Sequence, residues 1–277
     1  MKLLKPETLI TALLLTVFYT TFGDTALKQP TASITAKLEK SDHAAVRPTP
    51  RHERWLSDHA KREARLQKGD ADLLLIGDSI THGWKRYPEL LKKFFGNQQV
   101  INLGHPADKT ENIIWRLINH DMKNISPYAA VVLAGTNNSN DNEYTEEEIA
   151  EGVQTIVQLL RTKLPQTKIL LMGIFPRGSR DQRIGIKSGL TEAEMNPQWE
   201  KIDRVNRIIE TFADGENIIY LNINQVFLDE NGALPVSIMP DLLHPNEEGY
   251  ERWGGAIKPV LENMMKNDGS LPAHPAL

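Results

Sequence analysis

Five short apolar runs, separated by longer amphipathic stretches, constrain this chain more than any other feature. Ala71–Ile76 ends at Gly77, Gln99–Leu103 at Gly104, Ala129–Leu133 at Gly135 and Lys168–Met172 at Gly173; Asn217–Leu221 is the fifth. Runs that are apolar on both faces belong to a parallel sheet covered on each side, not to a half-exposed strand. The stretches between them carry helical periodicity over Tyr87–Phe95, Thr110–Met122, Thr145–Lys163 and Gln198–Ala213, with a last one over Asn246–Lys266. Strand-helix alternation implies an α/β fold, a three-layer α/β/α sandwich around a five-stranded parallel sheet of flavodoxin-like type. In such sheets ligands bind outside the carboxyl ends of the strands, so the loops after the first three runs deserve the closest reading.

The rest of the chain divides around that unit. Lys2 and Lys5 precede an uncharged, apolar stretch from Thr8 to Gly23, so residues 1–26 read as a secretory signal peptide, with an uncleaved N-terminal anchor as the competing reading. Residues 27–51 are polar and carry Pro30, Pro48 and Pro50, as expected of a linker. Residues 52–69 are expected to form a leading helix, 70–266 the α/β domain and 267–277 a flexible tail. The protein is therefore expected to be exported, periplasmic or secreted, and to meet a membrane only if its first segment stays uncleaved. The formal charge of -4 offers no basic face for nucleic acid. The complete lack of cysteine excludes disulfides, thiolate metal sites and a cysteine nucleophile. A homodimer is compatible with the sequence but not required by it.

Four loop ends carry chemistry. After the first run, Gly77-Asp78-Ser79 places a serine at a strand-to-helix turn, where its hydroxyl and N–H can face a reacting carbonyl. Taken alone, a helix cap explains this tripeptide better. Gly104 after the second run offers a backbone N–H, and Asn137 after the third a side-chain amide. Near the C-terminus, Asp241-Leu242-Leu243-His244 brings a carboxylate and an imidazole onto one loop, as a hydrolytic serine requires. The order Ser, Asp, His also occurs in α/β-hydrolases, but Thr81 stands where their Gly-x-Ser-x-Gly elbow needs glycine.

Taken together, these residues resemble the GDSL/SGNH hydrolase superfamily: Gly77-Asp78-Ser79 for its first block, Gly104 for the second, Asn137 for the third, and Asp241 with His244 for the last. Within it the chain is most similar to platelet-activating-factor acetylhydrolase catalytic-subunit-like esterases, through Asn102-Leu103-Gly104, Trp115-Arg116-Leu117, Gly135-Thr136-Asn137-Asn138 and Pro176-Arg177-Gly178. Two departures stand out: His105-Pro106-Ala107 replaces a glycine-rich run, and a polar stretch to about Pro197 follows Gly178.

The expected enzyme is a serine esterase without metal or organic cofactor. Ser79 would attack the ester, His244 would shuttle the proton, and Asp241 would orient His244. The N–H groups of Ser79 and Gly104 and the amide of Asn137 would hold the oxyanion. His105 and Asn138 are expected substrate contacts. Trp84, Trp115 and Trp199 are candidates for a sugar platform. The expected substrate is a small-molecule or carbohydrate ester, acetylated sugars being favoured. The alternatives are a lysophospholipase or acetylated-phospholipid esterase and, from another class, a catalytically silent carbohydrate-binding domain. A flavodoxin-like phosphate binder is disfavoured by the lack of a glycine-rich phosphate loop.

Overall fold

The computed structural model describes residues 36, 38, 40–140 and 143–266. The signal or anchor segment expected over 1–26 and the tail expected over 267–277 lie outside the described residues. In chain order, the elements begin with α1 (Glu53–Leu66), β1 (Leu73–Gly77), α2 (Ser79–His82), α3 (Pro88–Phe95) and β2 (Val100–Asn102). Next come α4 (Thr110–Asn119), β3 (Ala129–Leu133), α5 (Glu146–Lys163) and β4 (Lys168–Met172). The remainder is α6 (Arg180–Gly185), β5 (Glu192–Ala193), α7 (Pro197–Glu210), β6 (Ile218–Leu221), β7 (Leu234–Pro235) and α8 (Glu247–Lys266).

The main sheet is parallel throughout, in the order β2-β1-β3-β4-β6. All five strands of the sequence reading are present, and β1 and β3 are buried at every position. Their alternate side chains fill two separate cores. Leu74, Ile76, Ala130, Val132, Ile169 and Leu171 pack with α4, α5 and α7 on one face. Leu73, Leu75, Val131, Leu133, Leu170 and Met172 pack with α3 and α8 on the other. The chain leaves β1 toward one helix layer and β3 toward the other. The carboxyl ends of these neighbouring strands therefore diverge and open a crevice, the topological switch point of such a sheet.

Local chemistry sets the helix ends. Thr145 accepts from the Glu148 N–H at 3.2 Å while the Glu148 carboxylate accepts from the Thr145 N–H at 2.8 Å, a reciprocal cap that starts α5. Asn196 accepts from the N–H groups of Gln198 and Trp199 to start α7, one residue before the expected boundary.

One expectation needs correction. The linker expected over 27–51 is part of the fold in its last third: Ala45 and Val46 are buried in the core, and the Thr110 hydroxyl donates to the Ala45 carbonyl at 2.7 Å. Polar, Pro-containing composition hid this docking, because only two apolar residues carry it. The polar stretch after Gly178 has regular structure. It forms α6 and then β5, which pairs antiparallel with β7.

Candidate active site

The crevice above β1 and β3 holds an unbroken row of hydrogen bonds. The Ser79 hydroxyl lies 2.8 Å from His244 Nε2, and His244 Nδ1 lies 2.7 Å from Asp241 Oδ2. The spacing of Asp241 and His244 has a local cause. Asp241 Oδ1 accepts from the N–H groups of Leu243 at 3.1 Å and His244 at 2.7 Å, so one carboxylate closes its own turn and orients the ring. Leu242 between them sits at φ 55°, a left-handed conformation costing a branched residue roughly 1–2 kcal/mol. Gly178 makes room for it: a Cβ there would come within 2.8 Å of Leu242 Cβ, and its N–H holds the Leu242 carbonyl at 2.8 Å. Burial pushes the Asp241 carboxyl upward, but the His244 ring and N–H, with Arg183 behind them, overcome it and hold the group well below the usual carboxylate range. Asp241 is therefore ionised and available to stabilise an imidazolium.

Ser79 opens α2, and Asp78 caps it by accepting from the Ile80 N–H at 2.9 Å. The capping function and the nucleophile's placement thus coexist in one tripeptide. Burial pushes the Asp78 carboxyl up to about 7, against the pull of the Ile80 N–H. The Ser79 N–H has no intramolecular hydrogen-bond partner among the described residues and stays free at the helix start.

Gly104 does not match its expected role. Its N–H donates to Asn102 Oδ1 at 2.9 Å, and a Cβ would strike the His82 nitrogen at 2.4 Å, so the glycine serves close backbone packing. In the loop that follows, the His105 N–H goes to the Gly77 carbonyl at 3.1 Å and the Asp108 N–H to that of His105 at 3.3 Å. The Lys109 N–H goes to Asn112 at 2.9 Å, and Pro106 has no N–H. That leaves the N–H of Ala107 as the loop's unengaged donor among the described residues. Ala107 sits at φ 59°, a conformation unusual without glycine. Asn137 lies beside this loop, its amide donating to the Asp108 carbonyl at 2.8 Å with its second hydrogen uncommitted.

Neither of the two expected substrate contacts lines the Ser79 cavity. Asn138 is fully buried, accepting from the Thr110 N–H at 2.9 Å and donating to Thr110 Oγ1 and Glu111 at 3.0 Å each. His105 is only 7% exposed, with Nδ1 at 3.1 Å from the Pro106 carbonyl. Trp84 and Trp199 are buried in the core, and Trp115 packs between Trp55 and His59, so none of the three tryptophans lines the Ser79 pocket.

Several residues that hold the site have no role assigned by the sequence. Asp108 is fully buried between Arg116 Nε at 2.8 Å and Trp55 Nε1 at 2.7 Å. Arg116 also donates to the carbonyls of Leu103 and Gly77, tying the ends of β1 and β2 together. From α1, Arg62 donates to the Gly104 carbonyl at 2.8 Å, and Arg51 just before the helix donates to that of Pro106 at 2.8 Å. From α6, Arg183 donates to the Asp241 carbonyl at 2.9 Å and lies 3.3 Å from its Oδ2. Arg116 lies in the Trp115-Arg116-Leu117 run of the resemblance; each of the others is one charged residue among the chain's 68 Lys, Arg, Asp and Glu side chains, and only folding singles it out.

Residues 75–252 match the GDSL-like lipase/acylhydrolase family. The chain is 32% identical over 215 residues to human platelet-activating factor acetylhydrolase IB subunit alpha2, covering 77% of this chain and 85% of that protein. It is 28% identical over 237 residues to the bovine subunit alpha1, covering 83% and 94%. The fold superposes on a GDSL-like lipase from Bacteroides thetaiotaomicron VPI-5482 with a TM-score of 0.59 at 24% identity, over 75% of this chain and 97% of that one.

Proposed function

The chain belongs to the GDSL-like lipase/acylhydrolase family and is a carboxylic ester hydrolase, and from that premise we propose that it cleaves short-chain esters, above all acetyl esters, through an acyl-serine intermediate on Ser79. The observation that carries this reading is the row Ser79–His244–Asp241, closed by contacts of 2.8 and 2.7 Å.

In the proposed cycle, Ser79 Oγ attacks the carbonyl as His244 Nε2 takes its proton, and the ionised Asp241 steadies the imidazolium. The oxyanion settles against the N–H groups of Ser79 and Ala107 and the Asn137 amide, Ala107 taking the part first given to Gly104. His244 returns the proton to the departing alcohol. Water then repeats the sequence on the acyl-enzyme.

The preference for a short acyl group rests on the walls of the cavity. It holds about 430 Å³ and is lined by Gly83, Tyr87, Pro106, Pro240 and Pro245 among Lys85, Arg86 and Asn246. Each methylene of a long chain needs burial worth about 0.8 kcal/mol to gain affinity, and the lining includes no Leu, Ile, Val or Met side chain, its apolar surface coming from prolines and Tyr87. For the alcohol half, acetylated carbohydrate is the first reading. An acetylated phospholipid is the second, favoured by the relatives named platelet-activating factor acetylhydrolase.

Fluorophosphonate labelling and release of p-nitrophenol from an acyl series test the core of the proposal. The wild type is expected to label and to prefer acetate, and Ser79→Ala to do neither while melting within about a degree or two of wild type, as surface-accessible changes do. Absence of label from the wild type would favour a silent binding domain on the same fold. Preference for acyl chains beyond about eight carbons would overturn the short-chain reading.

A further inference from the structure

Beside the catalytic cavity runs a second groove of about 530 Å³, continuous with it through His82, Lys85 and Pro106. Its lining carries four Lys and Arg side chains, Arg51, Arg54, Arg62 and Lys85, against one carboxylate, Asp58. That imbalance is local, since the whole chain carries a formal charge of -4. The carboxylate is also engaged already, 2.9 Å from Lys61 and 3.7 Å from His105 Nε2.

The four cations divide into two kinds. Arg51 and Arg62 are held in place by the carbonyls of Pro106 and Gly104, both at 2.8 Å, on the loop that carries Ala107. Arg54 and Lys85 are exposed and have no ion-pair partner among the described residues. His105 lines the same groove, 7% exposed, with Nε2 facing Asp58 at 3.7 Å. Burial, together with Lys85 and Arg62, holds the His82 imidazole down at about 4, so it stands neutral at the junction of the two cavities.

The geometry points to this groove as a subsite for an anion on the alcohol half of the substrate: the preferred ester carries a carboxylate or a phosphate next to the acetylated position. It deepens the reading of Ser79 as an acetyl-ester hydrolase and rests on it, since a short acyl group leaves the alcohol as the half long enough to reach the groove. Guanidinium groups bind both anions through paired N–H donors. Arg62 commits donors to the carbonyls of Asp58 and Gly104, and Arg51 commits its Nη1 to the Pro106 carbonyl and the Asp108 carboxylate, so exposed Arg54 and Lys85 supply the main contacts. A cleft lined by one sign of charge also concentrates oppositely charged substrate.

Two pairs of acetate esters test this: 1-acetylglycerol 3-phosphate against 1-acetylglycerol, and the acetylated methyl glycoside of galacturonic acid, its carboxylate free, against acetylated methyl galactoside. At low salt, kcat/KM is expected to favour the anionic member of at least one pair by tenfold or more, and 0.3 M salt should erode most of that advantage, by about the screening that such ionic strength imposes. The favoured pair identifies the anion as phosphate or carboxylate. In the double variant Arg54→Gln/Lys85→Gln the anionic-to-neutral ratio should fall at least fivefold. An advantage below threefold in both pairs, or a ratio unchanged by the double variant, overturns the subsite. Titration calorimetry of the wild type with glycerol 3-phosphate and the methyl glycoside of galacturonic acid reads the groove without catalysis; binding of neither anion overturns it as well. Hydrolysis of p-nitrophenyl acetate without any charge preference removes the subsite alone. Failure to label with fluorophosphonate removes the serine-esterase reading.

Discussion

At the scale of single residues, the most consequential group beside the nucleophile is Asp78. Its carboxylate is fully buried, Oδ1 caps Ile80, and Oδ2 has no hydrogen-bond partner. Burial raises its pKa from 3.8 to about 7. The folded state therefore binds a proton that the unfolded chain has already released, and stability falls as pH rises from about 4 to 7. Below 3.8 both states are protonated and the folded form carries no penalty; above about 7 the penalty is complete. Asp78→Asn keeps the capping oxygen and removes the charge. It is expected to melt several degrees above wild type at pH 8 and within about a degree of it at pH 4, as read by differential scanning calorimetry. A difference independent of pH would show that Asp78 is ionised in the fold at both values.

At the scale of elements, two short additions secure a sheet that the apolar runs had already implied. Helix α1 reaches the Gly104–Asp108 loop through Trp55 and Arg62, and α6 reaches the catalytic loop through Arg183. Arg183 touches Asp241 and not the reacting atoms, so it acts as a positioning residue. Arg183→Met is expected to lower kcat/KM by roughly three- to tenfold, in the range of one lost ordinary hydrogen bond, about 0.5–1.5 kcal/mol. Removing a cation beside the Asp241–His244 pair lets the pair take up a proton more readily, so the acid limb of the kcat/KM profile should move to higher pH. Arg183→Lys should restore part of both effects. A lowered rate with an unmoved pH profile would assign Arg183 to the folding of α6 alone.

At the scale of the whole molecule, the fold starts earlier than its first strand. Residues 40–51 seat Ala45 and Val46 against α4 and α5, and Asn112 donates to the Thr49 carbonyl at 2.9 Å. Burying a valine contributes about 1.5–3 kcal/mol, and a domain of this size loses roughly 2–4 °C per kcal/mol. A chain starting at residue 52 should therefore melt at least about 5 °C below one starting at residue 40. Equal melting temperatures would show that this segment contributes nothing to the fold. Among the described residues no helix is long and apolar enough to cross a membrane.

The periodicity of the sequence determined the five parallel strands, the helices between them and the loops where chemistry collects, because a buried strand and an amphipathic helix each impose a repeat on their own residues. The residue types at those loops also singled out Ser79 and Asn137 after strands and Asp241 and His244 before the last helix, a set that suits one reaction. Gly104 was misread for a physical reason: a glycine after a strand serves equally to expose an N–H or to let two backbones touch, and only the approach of His82 decides for the second. The assignment of Ala107, Arg62, Arg183 and the cationic groove came from tertiary structure alone. A backbone donor becomes available only when its neighbours' N–H groups are taken, and charges far apart in sequence act together only after the sheet has brought their loops to one rim.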